Sequence, residues 1–295
     1  VSTKKFCTPG KEYIMLHTAL LMLCIGIFAG VMGAILGIGG GMIITPIVTL
    51  ALGMDIKYAI GASIIAVIAT SSGSTIAFLR DDVLNLRVAM FLEIFTTIGA
   101  IIGALLTGAF NPMILYVLFG ALLVFSSWNM YRKLRRGQEV LKRVEPDKLA
   151  EKFKLNSSYY DKNLHKQIDY QVENIPGGAA IMFGAGLASG MLGIGSGAFK
   201  VMAMDGAMKM PLKPSSATSN LMMGVTAAAS ATVYFFNGSI KPEIAVPLAL
   251  GIIGGATVGS RIMQLLPSKI IRGIFIPILL YLGLQMILKG FGVTI

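Results

Sequence analysis

A chain of 295 residues with 55% hydrophobic and only 13% charged side chains lies outside the soluble range, where charged residues alone make up about 25%. That composition describes an integral membrane protein, and it excludes a disulfide framework or a zinc site, because Cys7 and Cys24 are too few for either. The net charge of +11 reads as membrane orientation rather than nucleic-acid binding: the basic residues gather in loops beside apolar segments, with no aromatic platform among them.

Lys4, Lys5 and Lys11 precede an apolar run that continues past Gly30 without a cleavage signal, so it reads as a retained first helix. Five apolar segments, about 13–36, 41–53, 57–79, 86–108 and 113–131, make up a first half. Most are near the roughly 20 residues a bilayer needs, but 41–53 is short enough to be a half-helix or an extension of its neighbour. Asp55 and Lys57, Arg80-Asp81-Asp82, and Asn111-Pro112 mark the turns between them. From Arg132 to Ile175 the composition changes, with eleven Lys/Arg against seven Asp/Glu. This is a basic linker of residues 132–175, and Arg132, Lys133, Arg135 and Arg136 directly after an apolar segment mark a cytoplasmic edge facing anionic lipid. Five further segments follow, about 176–192, 197–208, 214–236, 243–264 and 269–289. The chain therefore divides into transmembrane repeats over 13–131 and 176–289.

The repeat has a fixed register. Gly193 lies 156 residues after Gly37, and the same offset matches Gly30 with Gly186, Lys57 with Lys213, Ser63 with Ser219, Thr70 with Thr226, Gly99 with Gly255 and Gly103 with Gly259. If each half crosses an odd number of times, the second enters in the opposite orientation. The predicted fold is then an all-α polytopic membrane protein built as an inverted repeat of about five segments per half, with helices broken at the glycine clusters. Re-entrant hairpins at those clusters would give eight spans instead of ten. The ten-segment reading puts the central loop inside and Lys4, Lys5 and Lys11 outside.

Candidate binding residues follow from the clusters Gly37-Ile38-Gly39-Gly40-Gly41 and Gly193-Ile194-Gly195-Ser196-Gly197. Their spacing is not that of a dinucleotide or phosphate loop. A broken helix can aim unsatisfied N–H groups at an anion, whereas glycines can equally just permit tight helix crossing. Ser63, Ser219 and Asn220 stand out among the small polar residues of 57–79 and 214–236, since hydroxyls and amides can replace the hydration of a small oxyanion; interhelical hydrogen bonding is the alternative. Lys200, in an apolar stretch, can attract an anion, pair with Asp205 or snorkel to the interface. Glu93 is the deep carboxylate, suited to proton coupling or simply solvated or bonded to a neighbour. His17 reads as interfacial and the 18 methionines as packing. No Ser/His/Asp set, carboxylate pair or metal-ligand cluster appears, so neither an enzyme, a metal nor a cofactor is expected.

The run Gly33-Ala34-Ile35-Leu36-Gly37-Ile38-Gly39-Gly40-Gly41 with Pro46 and Ala59-Ile60-Gly61-Ala62-Ser63, and the second-half run Gly190-Met191-Leu192-Gly193-Ile194-Gly195-Ser196-Gly197 with Ala217-Thr218-Ser219-Asn220, resemble the sulfite exporter TauE/SafE family. The resemblance implies a plasma-membrane transporter of two related halves that moves small anions such as sulfite or sulfonates. The expected function is secondary anion transport, with or without ion or proton coupling; the alternative is a passive anion channel of the same architecture. Substrate, direction and oligomeric state are not in the motifs.

Overall fold

The computed structural model describes residues 9–36, 39–136, 147–161, 165–265 and 268–292. In the first half, α1 (Pro9–Leu36), α2 (Gly41–Ala51), α3 (Ile56–Arg80), α4 (Leu86–Thr107) and α5 (Pro112–Arg136) follow one another. A short α6 (Lys148–Lys152) and strands β1 (Ser157–Asp161) and β2 (Lys166–Tyr170) separate these from α7 (Ile175–Leu192), α8 (Gly197–Met202), a π-helical turn at Ala203–Ala207, α9 (Leu212–Phe236), α10 (Pro242–Leu265) and α11 (Ser268–Gly290). Local chemistry sets the starts. Asp55 accepts the Lys57 N–H at 2.8 Å to open α3, and Asn85 accepts the Val88 N–H at 3.1 Å to open α4, each satisfying a donor that the first turn leaves free. Pro112 begins α5, where its missing N–H costs nothing.

The protein is an all-α multi-pass membrane protein. Among the described residues, Thr18–Ile35, Ile56–Arg80, Leu86–Thr107, Pro112–Arg132, Ile175–Leu192 and Pro242–Met263 are long and apolar enough to cross a bilayer. α9 is as long as α3 at 25 residues but carries the second polar run. Its Ser215, Thr218, Ser219, Asn220 and Thr226 are all fully buried, while Ile76, Leu105, Leu250 and Phe236 stand well exposed. Apolar surface turned outward over a polar interior is the arrangement hydrocarbon favours.

Helices of the two halves interlock. α1 runs beside α10 in the same direction, with Gly26 against Leu248 and Gly30 against Ile252, where a Cβ at Gly30 would lie 2.6 Å from the Ile252 carbonyl. α7 runs beside α4 in the same direction, with Phe183 against Gly99 and Leu187 against Gly103. The close crossings therefore use the glycines paired by the 156-residue offset: Gly30 and Gly186, Gly99 and Gly255, Gly103 and Gly259. At the centre α3 and α9 cross in opposite directions, meeting at Val67 and Met223, each in the middle of its helix. α2, with 11 residues, spans about 16 Å, half of a roughly 30 Å core. It is a half-helix: after α1 the chain reverses so that Gly33 lies against Gly39 and Gly40.

The linker is folded where it is described. β1 and β2 pair antiparallel from Ser157↔Tyr170 to Asp161↔Lys166. The hairpin docks on one end of the helical bundle. Asn85 Nδ2 donates to the Leu155 carbonyl at 2.8 Å and the Tyr170 hydroxyl at 3.1 Å, Lys213 pairs with Asp161 at 2.7 Å, and the Glu173 N–H donates to the Met208 carbonyl at 3.2 Å. Burial raises the Tyr159 and Tyr170 phenols above their ordinary value. Composition reported the charge of this segment but not its shape, because Leu155, Tyr159, Tyr170 and Val172 are buried in an apolar cluster that also holds residues of α4, α9 and the π-helical turn.

Candidate functional site

The two glycine clusters converge. Gly39 (φ +73°) and Gly195 (φ +69°) both take the left-handed backbone that glycine alone adopts freely, and both rest on the same two side chains, Val67 and Met223. Gly41, at the start of α2, faces Ser63 Oγ and the Gly193 carbonyl. Ser63 Oγ donates to that carbonyl at 2.7 Å, tying α3 to the second cluster. Its repeat counterpart Ser219 donates to the Gly197 carbonyl at 3.2 Å, and the Gly40 N–H donates to Thr70 Oγ1 at 3.4 Å. Asn220 Nδ2 donates to the Ser216 carbonyl at 3.0 Å and reaches Ala34 at the end of α1 at 3.4 Å. Thus Gly39, Gly40, Gly41, Ser63, Gly193, Gly195, Ser196, Gly197, Ser219 and Asn220 share one buried region, whereas Gly37 lies outside the described residues.

The two copies differ in backbone at their fourth position. Gly40 is right-handed, but its counterpart Ser196 sits at φ +50°, a costly conformation for a residue with a side chain. Ser196 is fully buried, and its Oγ has no hydrogen-bond partner; the Oδ1 of Asn220 is buried and unpartnered as well. A buried hydroxyl without a partner costs about 1–3 kcal/mol. A polar guest supplies what such atoms lack, and a hydroxyl can turn its hydrogen toward an anion.

Lys200 and Glu93 come together. Lys200, one turn into α8, is fully buried and lies 3.5 Å from Glu93 Oε2, with Glu93 itself 8% exposed. Thr226 sits between them: its hydroxyl accepts from Lys200 Nζ and lies 2.6 Å from Glu93 Oε1. Thr96 donates to Oε2 at 3.0 Å and Thr97 to Oε1 at 3.1 Å. Lys200 therefore neither snorkels nor takes Asp205 as its carboxylate: α8 packs on α9, and α9 on α4, which delivers Glu93 to it. Removing one partner of a buried ion pair costs about 3–5 kcal/mol, so neutralisation was the signal that could have paired the two deep charges from sequence. The threonines were not foreseeable. The site is one-sided, because the repeat counterparts of Lys200 and Glu93 are Ile44 and Ala249.

No group of three or more His, Cys, Asp or Glu that would suit a metal occurs among the described residues. At the far end of α5, Arg132 and Arg135 are exposed, with Arg135 over the Tyr131 ring at 5.2 Å. The side chains of Lys133 and Arg136 lie outside what is described.

Comparison with known proteins follows the same lines. The family model for the sulfite exporter TauE/SafE matches residues 22–286. A probable membrane transporter protein, YunE of Bacillus subtilis, is 26% identical over 278 residues, covering 92% of this chain and 98% of the relative. The probable membrane transporter protein MJ0441 of Methanocaldococcus jannaschii is 24% identical over 294 residues, covering 94% and 98%. No solved structure gives a significant match. With a match that takes in both glycine clusters, the crossed helices and the Lys200–Glu93 pair, the chain belongs to the sulfite exporter TauE/SafE family of membrane transporters.

Proposed function

We propose that the protein is a secondary carrier of small sulfur-containing anions such as sulfite or a sulfonate, in the plasma membrane with its central linker on the cytoplasmic side. The observation that carries this reading is the meeting of the two glycine clusters on Val67 and Met223, at the mid-helix crossing of α3 and α9. Around that crossing, Ser63, Ser196, Ser219 and Asn220 are fully buried, and the α2 start at Gly41 adds a helix N-terminus, where N–H groups favour an anion. Hydroxyls and amides hold a small oxyanion without trapping it, so the cargo can leave.

The opposite course of α7 relative to α1, read from α1 alongside α10 and α7 alongside α4, supports an inverted repeat. In such a fold, rocking one half against the other exposes a central site to each side in turn. A transporter of this kind needs no cofactor and performs no reaction.

The test is flux in proteoliposomes. Labelled sulfite and ethanesulfonate are expected to enter with saturation, and a trapped unlabelled anion should drive counterflow. Currents that rise linearly with driving force, without counterflow, would establish a passive channel instead; no flux of either anion would overturn the anion reading.

A further inference from the structure

We propose that Lys200 and Glu93 form a proton-coupling exchange site, in which the transported anion replaces the Glu93 carboxylate as partner of the Lys200 ammonium while Glu93 takes up a proton. The inference rests on the anion-carrier reading and adds the coupling ion, the stoichiometry and the residues that set it.

The geometry provides the exchange. Lys200 is bonded through its backbone N–H to the Ser196 carbonyl at 2.9 Å, so the ammonium hangs from the same turn that carries the unpartnered Ser196 hydroxyl. Thr226, which bridges Lys200 and Glu93, lies one turn along α9 from Met223, where both glycine clusters rest. An anion seated at the clusters is therefore about one helical turn from the ammonium. Charge neutrality makes the coupling obligatory. With Glu93 ionised, the buried set carries one positive and one negative charge and is neutral. An added monoanion would leave a net negative charge in a medium that penalises it heavily. One proton from the aqueous side the site faces, bound to a Glu93 oxygen, restores neutrality: Lys200 stays an ammonium, Glu93 becomes a carboxylic acid, and the anion is the counter-ion. Release on the other side returns anion and proton together.

Other ionisable groups do not take this role. α7, packed on α4, carries none. On α4 itself Arg87 is exposed and donates to the Lys154 carbonyl at 3.0 Å. On α9, Lys213 pairs with Asp161 in the hairpin, and the Tyr234 hydroxyl is held by Thr107 and the Gly190 carbonyl. Asp205 is in the π-helical turn beyond α8, and the basic residues of α5, which meets α8 through Phe125 and Phe199, lie in its last two turns. The threonines fit both states of Glu93. Thr96, Thr97 and Thr226 donate to the ionised carboxylate, and a hydroxyl can rotate to accept from the protonated one. Because Ile44 in the first half and Ala249 in the second occupy the places that match Lys200 and Glu93, the site occurs once and one proton accompanies each anion.

The probe is ethanesulfonate, a strong acid that stays a monoanion at every working pH, so a pH effect belongs to the protein. In wild-type proteoliposomes an inward proton gradient is expected to accelerate uptake several-fold, and a potassium–valinomycin potential is expected to leave it unchanged, since proton and anion cross as a neutral pair. Glu93→Gln should keep measurable counterflow, lose the response to the proton gradient and become sensitive to the potential, because its empty site carries one positive charge. Lys200→Met should lower flux about 10-fold or more. In detergent, without any variant, adding ethanesulfonate to the wild-type protein should remove protons from a weakly buffered solution in near-equimolar amount. Flux that ignores the proton gradient in wild type, or a gradient response that survives in Glu93→Gln, overturns the proposal while leaving the carrier intact. Absence of both flux and proton uptake with ethanesulfonate and with sulfite overturns the carrier reading and the coupling with it.

Discussion

Ser196 and Gly41 show how differently two residues of one region can be constrained. The Ser196 hydroxyl is buried and has no partner in the protein, so removing it sacrifices no internal hydrogen bond. Ser196→Ala is expected to leave thermal stability unchanged or slightly raised, and to weaken apparent anion affinity about 10-fold, the usual loss for one hydrogen bond to a charge. Melting curves together with the concentration dependence of flux check both halves of that statement; a large fall in stability would mark the hydroxyl as structural. A Cβ at Gly41, by contrast, would lie 2.6 Å from Ser63 Oγ and 2.8 Å from the Gly193 carbonyl, closer than real contacts allow. Gly41→Ala is expected to cost about 1–3 kcal/mol as overpacking and to abolish transport, read by denaturation in detergent and by the same flux measurement. Most of these site residues could be picked from sequence as exceptions to a rule, glycines or polar groups inside an apolar run. What they touch could not: Gly41 and Gly193 are joined through Ser63, 130 residues from the carbonyl it bonds.

Elements were read from sequence with more success than their surroundings. The segment pattern, the turns at Asp55, Arg80–Asp82 and Asn111–Pro112, and the half-length second segment all correspond to helices or breaks in the structure, because hydrophobic length and capping are local properties. The hairpin of β1 and β2 was hidden for the opposite reason. Its few buried apolar residues are diluted by exposed charge, and its attachment depends on Asn85, which first had to be placed by the fold of α3 and α4. Asn85 performs two tasks at once, capping α4 through Val88 and holding the hairpin through Leu155 and Tyr170. Asn85→Ala is therefore expected to cost about 1–2 kcal/mol, the cap alone accounting for about 1, and to speed amide hydrogen exchange selectively in 157–161 and 166–170. Unchanged exchange there would show that Asp161 with Lys213 holds the hairpin without help.

Over the whole molecule, the decisive relation is direction. α1, α3 and α10 run one way, and α4, α7 and α9 run the other, so repeat counterparts α1 and α7 point oppositely. The proposed cytoplasmic placement of the linker puts the turn joining α4 to α5 outside. Cysteine substituted at exposed His165 should react with an impermeant maleimide only from the cytoplasmic face, and cysteine at exposed Asn111 only from the outer face; labelling of both from one side would contradict the arrangement. The sequence by itself determined the class of protein, its helices and its family, since composition, segment length and local motifs survive without any knowledge of packing. Tertiary structure alone decided that the glycine clusters meet at the α3–α9 crossing, that the linker is a docked hairpin and that Lys200 is neutralised by Glu93, 107 residues away. Which buried charges become neighbours depends on the order in which helices pack, and no local pattern carries that information.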